Sequence, residues 1–274
     1  MEVLLLTEPK HPPRSGPPSA RYETGRGNLL AEALLSAGHQ PVMWWDHPVG
    51  PRVTSEPDLV LLRSGRPIQL RRAEDLSADG LAVLNDPHAH RRASDKLHQA
   101  AIFASAGVPH PATYGIGLGL GGSSELLVAK PRSGSSGRGV RLLGPEDLAE
   151  ALAVGDVVQE QVVGAPEYRV LVVGGIDVDW ARKYPAVGDF RANLDQGGTM
   201  HRAERPSEQA AQIAVQAMEA LGLDIGGVDL MVGRSGPVVL EVNAATTLHG
   251  SDPAATEEIL RAVLGLCVTT VTQR

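Results

Sequence analysis

Two segments of this 274-residue chain carry residue types suited to a charged ligand. The first is Lys130-Pro131-Arg132-Ser133-Gly134-Ser135-Ser136-Gly137-Arg138-Gly139-Val140, set between two apolar runs. Its glycines and serines let backbone N–H groups converge on one anion, and Lys130 and Arg138 add positive charge. It is not a P-loop, because GxxxxGK followed by Ser or Thr is missing. Taken alone, it reads either as a phosphate cradle or as a plain hairpin loop. The second segment places Asp229 in Gly227–Val232 and Glu241 and Asn243 in Val239–Asn243. If Arg234-Ser235-Gly236 forms a three-residue hairpin loop, Asp229 faces Glu241 across the ladder, and Glu241 and Asn243 share a face. Carboxylates opposed inside a buried sheet repel and resist ionisation. A hard divalent cation, Mg²⁺ above all, removes the conflict and takes oxygen ligands of this kind. The alternative places both carboxylates on a solvated edge.

Other motifs narrow the choice. Gly117-Leu-Gly-Leu-Gly-Gly122 formally matches GxGxxG, but a strand pattern follows where a dinucleotide fingerprint needs a helix, so it reads as a connector. Val128-Ala129-Lys130 suggests a kinase lysine. However, no HRD loop occurs, and Gly188-Asp189-Phe190 has the wrong order for the metal motif. With 25 basic and 32 acidic residues the formal charge is −7, and Arg71-Arg72 and Arg91-Arg92 are isolated pairs, which argues against nucleic acid as a partner. No apolar run approaches the roughly 18 residues that span a bilayer, and Met1–Leu6 reads as a first strand rather than a signal peptide. Cys267 is the single cysteine, unable to form an intrachain disulfide, which suggests a reducing, cytoplasmic setting and a small core residue rather than a nucleophile.

The elements that must position these residues read as α/β. Strand Val3–Leu6, helix Gly27–Ala37 before Gly38, and strands Pro41–Trp45 and Asp58–Leu62 suggest a small parallel α/β domain. The Pro-rich stretch 10–19 forbids regular structure and reads as a lid or as disorder. A helix is expected over Ala93–Ala106, capped by Ser94 and ended by Gly107. Strands Leu126–Lys130 and Val140–Leu143, a helix over Pro145–Ala153, and strands Val157–Gln161, Tyr168–Val173 and Ile176–Lys183 follow, with Gly174-Gly175 as a hairpin turn. Ser207–Leu221 is amphipathic with 3.6-residue spacing and stops at Gly222. Strands Gly227–Val232 and Pro237–Val242 and a helix near Thr256–Leu264 close the chain.

In this order, Asp95-Lys96-Leu97, Val128-Ala129-Lys130-Pro131, Gly134–Gly139, Gln159-Glu160, Glu167-Tyr-Arg169, Gly188–Asn193 with Gln196-Gly-Gly198, Gly227-Val-Asp229 and Glu241-Val-Asn243 resemble the RimK-type carboxylate–amine ligases of the ATP-grasp superfamily, including their LysX-like and glutathione-synthetase-like branches. The resemblance runs from about Asn85 to Gly250. It implies a pre-ATP-grasp domain over 1–85 and two α+β subdomains, 86–158 and 159–274, that clamp ATP between them. It assigns Lys96 and Lys130 to the phosphates, and Gly134, Ser135, Ser136, Gly137, Arg138 and Gly139 to a loop closing over them. Gln159, Glu160, Gln161 and Val162 are assigned to the adenine hinge, and Asp229, Glu241 and Asn243 to Mg²⁺, with Mn²⁺ as a substitute. Arg169, Arg182, Arg191 and Asn193 fall where the family binds the acyl phosphate and substrate carboxylates, chemistry that suits guanidinium forks.

The implied reaction activates a carboxylate as an acyl phosphate and passes it to an amine of an amino acid, a peptide or a carrier-protein tail, in a homodimer or homotetramer. A nucleotide-binding module without turnover and an ATP-grasp kinase or carboxylase are the alternatives. Ala245-Thr246-Thr247 departs from the family's Ser-Pro-Gly, and His249 replaces a common Glu, so the acceptor side differs here. His249 reads either as a substrate contact or as a surface residue, and Arg63 and Arg66 either as carboxylate binders or as surface charge.

Overall fold

Short runs of leucine and valine, buried on both sides, build the first sheet. The computed structural model describes residues 1–7, 28–44, 56–115, 126–134, 136–248, 250 and 252–273. The Pro-rich stretch 10–19, the glycine run 117–122, Ser135 and His249 lie outside the described residues. Chain order gives β1 (Glu2–Leu6), α1 (Asn28–Ser36), β2 (Gln40–Trp44), β3 (Leu59–Leu62), α2 (Pro67–Ala78) and β4 (Val83–Leu84). The strands lie parallel in the order β2-β1-β3-β4. Leu4, Leu6, Val60 and Leu62 face Leu70, Ala73 and Leu76 of α2. Val3, Leu5, Leu59 and Leu61 turn to the other side, toward Leu30 and Leu34 of α1. Coverage of both faces is what a parallel sheet requires.

The expected helix over Ala93–Ala106 is two helices, α3 (Pro87–Ser94) and α4 (Lys96–Ala106). Asp95 breaks the run with extended backbone (φ −113°, ψ 107°) and caps α4 by accepting from the Leu97 and His98 N–H groups. A cap of this kind contributes about 1 kcal/mol. Ser94, the expected cap, instead donates to the His90 carbonyl. Next come β5 (Thr113–Tyr114), β6 (Leu127–Lys130), β7 (Arg141–Leu143), α5 (Leu148–Ala153) and β8 (Val157–Glu160). These form a four-stranded antiparallel sheet in the order β5-β8-β6-β7.

The remainder is β9 (Glu167–Val173), β10 (Ile176–Tyr184), β11 (Thr199–Arg202), α6 (Glu208–Leu221), β12 (Ile225–Gly233), β13 (Gly236–Asn243) and α7 (Pro253–Thr272). The five strands are antiparallel in the order β11-β10-β9-β12-β13. Period-2 alternation divides β9 between two tasks. Val170 and Val172 pack with Ala211, Ala214 and Met218 of α6. On the opposite face Leu171 and Val173 join Ile259, Val263 and Cys267 of α7 and the inner face of the first sheet. Glu167 and Arg169 continue that second face beyond the core.

Candidate active site

The five-stranded sheet presents this face to the four-stranded sheet, and the cleft between them is lined by Lys96, Lys130, Glu167, Lys183, Asp229 and Glu241, among others. Two β-bulges decide which side chains reach it. The β12–β13 turn spans two residues, with Gly233 opposite Gly236, rather than the expected three. A bulge between the Asp229 and Leu230 pairings then restores Asp229 opposite Glu241. The expected pairing therefore holds for a different reason. In β10, counting straight from the Gly174-Gly175 turn would put Arg182 opposite Glu167. A bulge between Asp177 and Asp179 places Lys183 there instead. One residue of slip turns every side chain to the other face. The structure thus leaves Arg182 exposed on the outer side, its guanidinium 5.0 Å from the centroid of the Tyr184 ring. Lys183, which the sequence reading missed, is buried in the cleft floor.

Asp229 is buried, yet its carboxyl is held down at about 2. Burial opposes ionisation, but the Arg169 and Lys183 charges outweigh it. Arg169 grips both carboxylate oxygens, Nε on Oδ1 and Nη2 on Oδ2, and Lys183 Nζ lies 3.3 Å from Oδ2. Lys183 also pairs with Glu167, whose carboxyl burial pushes up despite that partner. Glu241 is likewise held low: burial opposes ionisation, but the Lys96 and Lys130 charges and the Asn243 hydrogen bond together outweigh it; Lys96 Nζ lies 3.7 Å from Oε2. The expectation that opposed carboxylates resist ionisation is therefore overturned, since cations of the chain compensate them. Asn243 Nδ2 donates to Glu241 Oε1 at 3.1 Å.

No group of three or more His, Cys, Asp or Glu that could hold a metal gathers among the described residues. The oxygens of Asp229, Glu241 and Asn243 nevertheless fit a magnesium ion carried on phosphates, which uses one or two carboxylates and fills its remaining positions with phosphate and water. An ionised carboxylate offers about four lone-pair sites. Arg169 and Lys183 occupy three on Asp229, so one remains for an ion.

Both lobes are stitched to the first turn of α4. The Asp95 carboxylate accepts from Arg132 Nε at 2.8 Å, the Lys96 N–H donates to the Arg132 carbonyl, and Lys96 Nζ donates to the Gly134 carbonyl at 2.7 Å. Lys130 Nζ donates to Gln159 Oε1 at 2.6 Å, and Gln159 Nε2 donates to Thr113 Oγ1. Burial lowers the Lys130 ammonium from its ordinary value. The Gln159 side chain is therefore committed to holding Lys130. The Glu160 and Gln161 N–H groups bond the Ala112 and Leu126 carbonyls, and Glu160, Gln161 and Val162 line the cleft beside Val128, Met231 and Leu240.

The glycine-rich loop is clamped from across the cleft. Arg191 is forked onto Asp189 and reaches the Gly137 carbonyl at 3.3 Å, while Gln196 Nε2 donates to the Ser136 carbonyl. Gly137 has φ +67°, and a Cβ there would run into the Asn193 side chain. Gly134, Ser136 and Arg138 line the cleft, as do Arg191 and Asn193. Arg63 is buried and donates to the Thr246 carbonyl, while Arg66 is exposed.

Residues 125–263 match the RimK-like ATP-grasp domain. A "Probable alpha-L-glutamate ligase" of Parasynechococcus marenigrum (strain WH8102) is 34% identical over 199 residues, covering 66% of this chain and 42% of that protein. "Ribosomal protein bS6--L-glutamate ligase" of Salmonella paratyphi B (strain ATCC BAA-1250 / SPB7) is 36% identical over 189 residues, covering 62% of each chain. The matched part of the chain thus spans less than two thirds of either relative. Among solved structures, D-cycloserine synthetase DcsG superposes with a TM-score of 0.68 at 21% identity, covering 97% of this chain and 100% of that one. ATP-grasp ligase PsnB complexed with minimal precursor, Mg and ADP gives 0.65 at 18% identity, covering 97% of both chains. At such identities the structures speak for the fold. With Lys96, Lys130 and Lys183 converging on the cleft that Asp229 and Glu241 line, and with just over half of its length matched, the chain belongs to the RimK-like ATP-grasp family.

Proposed function

We propose that this chain is an ATP- and Mg²⁺-dependent ligase that joins a carboxylate to an amine. The supporting observation is the convergence of Lys96, Lys130 and Lys183 on the cleft that holds Asp229 and Glu241. Lys96, at the start of α4, and Lys130, at the end of β6, bind the phosphates, and Gly134–Gly139 covers them with backbone N–H groups. Glu160–Val162 receives adenine between Val128, Met231 and Leu240. Asp229, Glu241 and Asn243 hold Mg²⁺, or Mn²⁺ in its place, which neutralises phosphate charge when bound. A substrate carboxylate oxygen attacks the γ-phosphorus and ADP leaves. The amine nitrogen of the second substrate then attacks the acyl carbon, losing a proton as inorganic phosphate departs. Arg191 and Asn193, beside the glycine loop, orient the transferred phosphoryl group. Positioning and charge neutralisation carry this chemistry without a covalent nucleophile.

The substrates we infer are an amino acid and a peptide or protein tail, because one relative is named for a ribosomal protein and one structure of similar fold, ATP-grasp ligase PsnB, is complexed with a precursor peptide. The units are 1–85, 86–158 and 159–274, assembled as a dimer or tetramer in the cytoplasm. Arg169 acts through Asp229 rather than on substrate. The test is ADP release across amino acids, dipeptides and peptide tails, with mass spectrometry of the product. ADP and phosphate should appear together with a product whose mass is the sum of the two substrates less one water. Release of AMP and pyrophosphate, or ADP without any coupled product, would reject the proposal.

A further inference from the structure

Gln99 lies three residues beyond Lys96 on α4, is buried, and is absent from the cleft lining. Its side-chain amide meets a single residue of β13 on both sides: Oε1 accepts from the Val242 N–H at 2.8 Å, and Nε2 donates to the Val242 carbonyl at 3.0 Å. Nε2 also donates to the Ala93 carbonyl of α3. β13 is the last strand of its sheet, so its outward N–H and C=O groups have no strand to pair with. Along a regular edge the outward groups recur every second residue. Here they do not. The Val239 N–H reaches the Pro109 carbonyl, and the next outward peptide in use is Val242, three residues on. The residue between the two registers is Leu240, at the bulge. Gln99 therefore bonds β13 in the phase that the bulge creates, which is also the phase that sets Glu241 opposite Asp229.

We propose that Gln99 is a positioning residue that indexes Lys96 against Glu241. The inference rests on the ATP-site reading given above. A one-residue slip of α4 along β13 offers the amide no outward peptide, and a two-residue slip moves Lys96 by about 7 Å. Residues three apart share a helix face, so the bidentate contact of Gln99 fixes the height of Lys96, whose ammonium lies 3.7 Å from Glu241 Oε2. Gln99 touches no ligand and acts only through this placement.

The experiment compares nucleotide affinities of the full-length wild type, Gln99→Met and Gln99→Asn by calorimetric titration with MgATP and with AMP. Methionine matches the length and cannot bond the peptide; asparagine keeps the amide but is one methylene short. AMP lacks the outer phosphates that Lys96 contacts. The expected result is MgATP binding weakened about tenfold, the scale of one charge-assisted contact, with AMP affinity changed less than about twofold. Equal weakening of both nucleotides would mark Gln99 as merely structural, and unchanged MgATP affinity would remove its role; either overturns the proposal. If the methionine variant fails to fold, the asparagine variant decides by the same two comparisons. A wild type that binds no MgATP would instead refute the ATP-site reading itself.

Discussion

Lys183→Met removes the cation between two carboxylates of the cleft floor and nothing else of comparable charge. Lys183 is 6% exposed, and its ammonium lies 3.3 Å from Asp229 Oδ2 and pairs with Glu167. At an effective dielectric near 20, one such contact is worth about 5 kcal/mol of Coulomb attraction. Burying the lysine costs much of that back, but the variant still strands Glu167 without its partner. Breaking a buried pair from one side costs about 3–5 kcal/mol. Urea unfolding at pH 7 should therefore show a loss of that size, with the slope unchanged. The pH dependence follows. Burial already raises the Glu167 carboxyl, and loss of Lys183 raises it further. A group raised in the folded state stabilises below its unfolded value and loses that contribution as pH rises through the folded value. The gap between variant and wild type should be smallest below about pH 4 and widen toward neutrality. Adding Glu167→Gln should recover part of it. A loss under about 1 kcal/mol at pH 7, or a gap independent of pH, would refute the charge network described for the cleft.

Glu241→Gln should weaken the Mg²⁺ affinity that supports ATP binding by at least about tenfold, read by Mg²⁺ titration at fixed ATP. Its stability should not rise, because Lys96 compensates Glu241 in the wild type. Arg191→Lys keeps the charge but loses the fork onto Asp189 and the reach to the Gly137 carbonyl; ADP release should fall about 10-fold or more in a steady-state assay. Acid should weaken the fold as pH falls from 3.8 toward about 2, since Asp229 is held low and contributes stability only while ionised. Circular dichroism against pH reads this, and an Asp229→Asn chain should lose that part of the transition. The buried Cys267 thiol is pushed up to about 12 by burial, so a thiol reagent at pH 8 should label it only after denaturant is added.

Much of the site was legible because its residues sit in short local patterns. Asp229, Glu241 and Asn243 follow from two strands and a turn, and the glycine-rich loop from composition. What escaped the sequence depends on single-residue irregularities that no period reveals. The bulge between Asp177 and Asp179 exchanges Arg182 for Lys183, and the one in β13 corrects a turn that is one residue shorter than expected. The break at Asp95 was hidden because Ser94 is an equally good cap by type; only the meeting with Arg132 decides between them. α2 escaped because its buried face, Gln69, Leu70, Ala73 and Leu76, keeps helical spacing but carries only two large apolar side chains.

The docking of α7 on the first sheet bears on biosynthesis. Val3, Leu5, Leu59 and Leu61 share one apolar cluster with Ile259, Val263 and Cys267. A ribosome makes the first group long before the second; at roughly 5–20 residues per second the delay is about 10–50 s. During that interval Leu30 and Leu34 of α1 are on hand to cover this face, but the area under Ile259, Val263 and Cys267 stays open until the last helix emerges.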